Sequence, residues 1–161
     1  MTTTDRARVI TYVAVSPRDA FEVFTEEIDT WWRREPRFRA GVAASQLRFE
    51  RDGNARRLVE RSSDGVFEIG RVRAWEPGAR LVFEWRTRDF AAGEVTEVEV
   101  LFTPLGEGTR VTLEHRGWDT LRADHPSRRG LDDEAFTSML GLHWGDLVTA
   151  YRAAALAKRS G

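Results

Sequence analysis

His115 and His143 are the residues whose type and placement could do chemistry. His115 ends the run Val111, Leu113, His115, whose alternate positions share one strand face that is otherwise apolar. An imidazole there can orient a bound molecule through a hydrogen bond, or act as acid or base near neutral pH. The structural alternative is a core histidine bonded to a backbone carbonyl or to Tyr151. His143 stands beside the inward stripe of the last helical pattern. Two histidines do not make a metal centre: there is no His-Glu-x-x-His spacing and no cysteine, so no metal and no cofactor is expected. No Gly-x-Ser-x-Gly elbow occurs, and Gly106-Glu107-Gly108 reads as a hairpin turn rather than a phosphate loop. A nucleophile is therefore not expected, which argues against hydrolysis and leaves proton transfer open.

Around His115 the periodicities place a set of apolar and aromatic positions toward one interior space. Trp32, Phe67, Ile69, Phe83, Trp85, Val98, Val100, Leu113, Leu140, His143, Trp144 and Leu147 are the candidate lining of a ligand cavity, with His115 among them. Six tryptophans and nine phenylalanines could equally fill that space. Trp31 and Trp32 either gate its mouth or cap one end of the core. Arg71 and Arg73 would reach an anionic ligand group only if a bulge turned them inward; outward salt pairing is the ordinary alternative.

The elements that must position these residues follow from pattern. Val9 to Val15 is β-branched and stops at Ser16-Pro17, which opens a helix. Ala20, Phe21, Phe24 and Ile28 continue at helical spacing, in one helix or two broken near Thr25, until Pro36; a loop with Gly41 follows. Strands are then predicted at Leu47 and Phe49, Arg57 to Arg61, Val66 to Trp75, Arg80 to Thr87, and around Val98 to Phe102 and Val111 to His115. With turns centred near Ala92 and Gly106, Trp85, Val98 and His115 form one cross-strand row, Phe83, Val100 and Leu113 the next, and Leu81, Phe102 and Val111 the third. The phase of Val66 to Trp75 changes at Gly70, where a bulge would bend the sheet. Gly117 to Leu131 reads as loop. Asp132 and Asp133 start a helix to about Lys158, with Phe136, Leu140, His143 or Trp144, Leu147, Tyr151 and Ala154 on one stripe. Strand, helical pair, six strands and a long helix give an α+β fold of six to seven antiparallel strands, as a single domain over residues 1–161.

Composition narrows the function classes. Acidic residues number 26 against 25 basic, spread along the chain, so no global field would gather nucleic acid. The basic run Arg33 to Arg39 is broken by Glu35 and Pro36 and reads as a solvated loop. Apolar runs are too short to span a membrane and residues 1–8 lack a signal-peptide core, so a cytoplasmic protein without membrane insertion is expected.

Several stretches carry a resemblance across nearly the whole chain: Val15-Ser16-Pro17 with Ala20-Phe21 and Phe24-Thr25; Ile28 with Trp31-Trp32; Gly70-Arg71-Val72 through Trp75-Glu76-Pro77 to Arg80-Leu81-Val82-Phe83 and Trp85; Thr109 to Leu113 with His115 and Gly117-Trp118; and Trp144 with Leu147. Together they resemble the START-like or SRPBCC superfamily, with its helix-grip fold, in the branch of the heat-shock protein 90 ATPase activator C-terminal domain. The chain departs from that pattern at Gly78, where many relatives have a second proline, and at His143, where many have glycine. The resemblance implies a cavity between sheet and C-terminal helix that hosts lipids, polyketides, hormones or hydrophobic metabolites in different relatives. Three expectations follow: a binder or carrier of a small hydrophobic molecule; a cyclase-like enzyme using His115; and a chaperone-associated module, ranked last because these residues hold no additional N-terminal domain. A homodimer through exposed sheet or helix surface is compatible with all three.

Overall fold

A computed structural model describes residues 6–35, 38–39, 44–122 and 124–160. Pro36 and Gly41, assigned above to a helix stop and a loop, lie outside them. The elements run in the order β1 (Ala7–Val13), α1 (Pro17–Thr25), α2 (Ile28–Trp31), β2 (Gln46–Asp52), β3 (Ala55–Ser62), β4 (Gly65–Glu76), β5 (Arg80–Trp85), β6 (Thr96–Leu105), β7 (Gly108–Arg116) and α3 (Asp133–Ser160). The strands form one antiparallel sheet in the order β1-β7-β6-β5-β4-β3-β2. The expected α+β helix-grip architecture is present: a curved sheet, two short helices after β1, and a long C-terminal helix.

Local chemistry explains where the elements start. Ser16 caps α1, its hydroxyl accepting from the Asp19 N–H at 3.1 Å, and Pro17 occupies the first turn, where a missing N–H costs nothing. Asp132 does the same for α3, accepting from the Ala135 N–H at 2.8 Å. The helical pair is broken after Thr25, whose hydroxyl donates back to the Phe21 carbonyl at 2.8 Å.

The strand that changes phase is bulged on both sides. Against β3, Leu58 pairs with Gly70 and Val59 with Glu68, so Ile69 is the extra residue. Against β5, Val72 pairs with Phe83 and Ala74 with Val82, so Arg73 is extra. Gly70 is required by proximity: a Cβ there would lie 1.7 Å from the Glu84 carbonyl oxygen. Phe67 and Ile69 point inward before the change and Val72 after it, packed on the core. Arg71 and Arg73 remain outside, where Arg73 pairs with Glu84 at 3.0 Å.

One predicted register is corrected. β6 and β7 pair as expected, Val98 opposite His115, Val100 opposite Leu113 and Phe102 opposite Val111. Between β5 and β6 the pairing is displaced by two residues: Trp85 faces Thr96, Phe83 faces Val98 and Leu81 faces Val100. A shift of two keeps every side chain on its face, so hydrophobic alternation could not distinguish the registers. β5 also ends at Trp85 rather than Thr87, and β1 at Val13 rather than Val15. The segment after β7, expected as plain loop, contains 3₁₀ turns at Trp118–Thr120 and Pro126–Arg128.

The convex face carries an arginine–glutamate lattice. Arg116 bonds Glu97 at 2.6 Å, Glu99 at 2.9 Å and Glu114 at 3.3 Å, and Arg80 joins Glu99 at 2.6 Å. The concave face and α3 enclose the core. Tyr151 of α3 donates to the Ala20 carbonyl at 2.7 Å, and Lys158 reaches Glu27 at 3.1 Å, fastening the helix to α1 and its exit.

Candidate functional site

The space between sheet and α3 divides into a packed end and a hollow end. At the packed end Phe24 meets Trp31 and Tyr151 at centroid distances of 5.0 and 5.3 Å, and Trp31 and Trp32 are almost fully buried. Both indoles are satisfied by backbone, Trp31 donating to the Val23 carbonyl at 2.9 Å and Trp32 to the Phe38 carbonyl at 2.8 Å. These two tryptophans cap the core rather than standing exposed at a mouth.

The hollow end is a part-open cavity of about 500 Å³ between β3, β4, β5, β7, the first half of α3 and the loops after β5 and β7. Of the predicted lining residues, Phe67, Ile69, Trp85, His115, Leu140, His143 and Trp144 border it. Trp32, Phe83, Val98, Val100, Leu113 and Leu147 lie in the packed core instead. Periodicity reports which face a residue is on, but not whether the space opposite is filled.

His115 sits in the cavity wall with 1 % of its surface exposed. The Trp144 indole N–H donates to His115 Nδ1 at 3.0 Å. Because an indole nitrogen only donates, Nδ1 is the unprotonated nitrogen and Nε2 carries the hydrogen. His115 Nε2 is 2.7 Å from the Thr96 hydroxyl, which donates onward to the Trp85 carbonyl at 3.0 Å. A continuous chain of donors thus runs from α3 through β7 and β6 to β5. Burial first, and the neighbouring His143 second, push the His115 pKa from 6.5 down to about 3, so the ring is neutral at physiological pH. The expected partners, a backbone carbonyl or Tyr151, are replaced by Trp144 and Thr96. Tyr151 instead bonds the Ala20 carbonyl.

Sequence reasoning missed Thr96, Trp118, Glu60 and Arg39. Thr96 was hidden by the register displacement; a buried threonine directly across from a tryptophan marks it only once the pairing is known. Trp118 falls in a segment that reads as loop, but it packs on His115 at 5.0 Å and on Phe136 at 4.8 Å and lines the cavity. Glu60 of β3 is a buried carboxylate in the cavity wall, near enough to Arg39 for the two charges to attract. Arg39 is buried because it ties a knot. It donates to Asp29 at 2.9 Å, to the Ser45 carbonyl at 2.8 Å and to the Trp32 carbonyl at 2.7 Å, while Asp29 also accepts from the Leu47 N–H at 2.9 Å. Burial pushes the Asp29 carboxyl up, but the Leu47 and Arg39 bonds outweigh it and hold the pKa below the ordinary value. Phe38 next to this knot stacks on His143 at 4.8 Å.

The loops at the mouth are joined to each other. Glu94, in the loop after β5, accepts from Arg122 at 3.0 Å and lies 3.3 Å from His125 Nε2, while His125 Nδ1 accepts from the Ser127 N–H at 3.1 Å. Arg128 donates to the Trp118 carbonyl at 2.7 Å and pairs with Asp133 at 3.1 Å. Among the described residues no group of three or more His, Cys, Asp or Glu is placed to hold a metal ion, and no helix is long and apolar enough to cross a membrane.

A curved antiparallel sheet gripping a long C-terminal helix, with a cavity at one end, defines the helix-grip class. Within it, the chain belongs to the family described as Activator of Hsp90 ATPase homolog 1-like protein, which matches residues 14–139. No curated protein matches the chain. Among solved structures, protein NE0264 of Nitrosomonas europaea is similar at 17 % identity over 100 % of both chains, with a TM-score of 0.63. TTHA0849 of Thermus thermophilus has 17 % identity over 95 % of this chain and 98 % of its own, with a TM-score of 0.63. The AHSA1 (SPO3351) protein of Silicibacter pomeroyi has 19 % identity over 95 % and 99 %, with a TM-score of 0.60. At these identities the likeness is one of fold.

Proposed function

We propose that the protein binds or carries a small hydrophobic molecule in the cavity between the sheet and α3. The observation that carries this reading is the cavity itself: about 500 Å³, within the range of small-molecule sites, walled by Phe67, Trp85, Trp118, Phe136, Leu140 and Trp144. Aromatic and aliphatic walls supply affinity by removing apolar ligand surface from water, and the rigid Trp144–His115–Thr96 chain keeps the pocket's shape. In this reading His115 organises the wall and a ligand packs against its ring.

Binding is favoured over cyclase-like catalysis because both nitrogens of His115 are engaged and its protonation is strongly disfavoured. An acid or base must have a free edge toward the reacting atom. The family description also supports a second reading, an exterior surface that engages a heat-shock protein 90 chaperone. Native mass spectrometry of protein purified gently from its source tests the first: a non-covalent adduct of drug-like size is expected, and Leu140→Trp, which fills the cavity, should abolish it. Adduct-free protein that is captured by the purified chaperone would replace the first reading with the second.

A further inference from the structure

The mouth of the cavity is chemically unlike its walls. Arg86, Thr87, Arg88 and Asp89, in the loop after β5, form one lip, and Arg129, exposed in the loop before α3, also lines the cavity at its solvent side. Glu68 partly offsets Arg86, accepting from it through the Glu68 carbonyl at 3.0 Å and the carboxylate at 3.4 Å. Arg88 spreads over the Phe67 ring, 4.9 Å from its centroid, so this guanidinium stands directly above an apolar wall. Among these lip residues Asp89 is the single carboxylate, against three guanidinium groups.

Two further observations concern the same place. Arg129 is the only non-glycine among the described residues with positive φ, at 52°. That left-handed backbone suits glycine and is strained for arginine, and such strain gathers at functional sites. Two buried polar atoms in the cavity-lining residues, Thr87 Oγ and the Trp118 indole N–H, have no hydrogen-bond partner among the described residues. A buried donor without a partner needs an acceptor from outside the fold.

Resting on the reading of the cavity as a ligand site, we infer that its ligand is amphipathic and anionic: an apolar body lies among the aromatic walls and a carboxylate-like head is received at the mouth by Arg129 and Arg86. A guanidinium recognises an oxyanion by paired N–H donation as well as by charge. The deeper arginine, Arg39, takes no part, because Asp29 and three carbonyls use its donors. Glu60 beside it would repel an anion placed deep in the cavity, which leaves the mouth as the seat for the head.

The test uses matched probes on dodecyl and naphthyl bodies, each bearing a carboxylate, a carboxamide or an ammonium group, titrated into the full chain and followed by tryptophan fluorescence. The carboxylates should bind at least about tenfold more tightly than the carboxamides at low salt, with the gap narrowing as salt rises. Arg129→Gly, which relieves the backbone strain and so keeps the fold, should erase most of that gap by weakening the carboxylates far more than the carboxamides; Arg129→Lys should restore part of it. Equal binding of carboxylate and carboxamide, or tighter binding of the ammonium probes, overturns the anionic head and leaves the cavity reading standing. If none of the probes binds, the cavity reading itself fails.

Discussion

The two ends of the space beneath α3 are built from the same residue types but do different things. At the end near α1 and α2, aromatic rings meet edge to face, and the indoles of Trp31 and Trp32 both find backbone carbonyls. At the end near the loops after β5 and β7, the rings of Trp85, Trp118, Phe136 and Trp144 stand around unfilled volume, and polar groups are joined across strands by side chains. Aromatic content therefore does not separate core from pocket. What separates them is whether an α-helix is present to fill the concavity: α1 and α2 do so at one end, and loops with two 3₁₀ turns cover the other.

Substitutions can break this contrast. The largest effect belongs to the packed end: Phe24→Ala, in contact with Trp31, Phe102 and Tyr151, should cost about 3–5 kcal/mol in urea denaturation, because its neighbours cannot collapse into the gap. Next comes acid. The folded pKa of His115, about 3, lies below its ordinary 6.5, so the unfolded chain binds the extra proton and stability falls as pH drops from 6.5 toward 3. The slope from this one group approaches about 1.4 kcal/mol per pH unit once the pH is well below the ordinary value. His125, also lowered by burial, adds to the same slope. Denaturation of the wild type and His115→Gln at pH 7 and pH 5 should show a shallower loss in the variant.

Thr96→Val should cost about 1–3 kcal/mol, since it strands the Nε2–H of His115 and frees the Trp85 carbonyl. The same variant should raise the mobility of the Trp144 ring, visible as broadened indole resonances. Leu140→Ala, at the hollow wall, should be the mildest, about 1 kcal/mol or less, below the usual cost of a buried leucine because its side chain already borders empty space. A loss at Leu140 as large as that at Phe24 would erase the distinction between the two ends.

The sequence made the frame readable but left the hollow dark. Element order, the break in the helical pair, the irregularity at Gly70 and the β6–β7 register follow from period and turn chemistry. Three things do not. The β5–β6 register differs by an even number of residues and so leaves no trace in alternation. The partner of His115 depends on that register, which hid Thr96. The Asp29–Arg39 knot ties the second short helix to a stretch that reads as solvated loop, the Glu94–Arg122–His125 clasp ties two separate loops, and charge pairing between distant segments has no periodic signature.

The sheet order also bears on how the molecule comes into being. Among the described residues β1 pairs only with β7, so once made it stays without a hydrogen-bonded companion until about a hundred residues later, and α3, which covers it, emerges later still. Completion of the sheet is thus a late, long-range event, and assembly should be slow for a chain of this size. Until that moment both edges of β1 are open to strands of other nascent chains, which gives this protein a window of vulnerability to aggregation during translation that narrows once β7 docks.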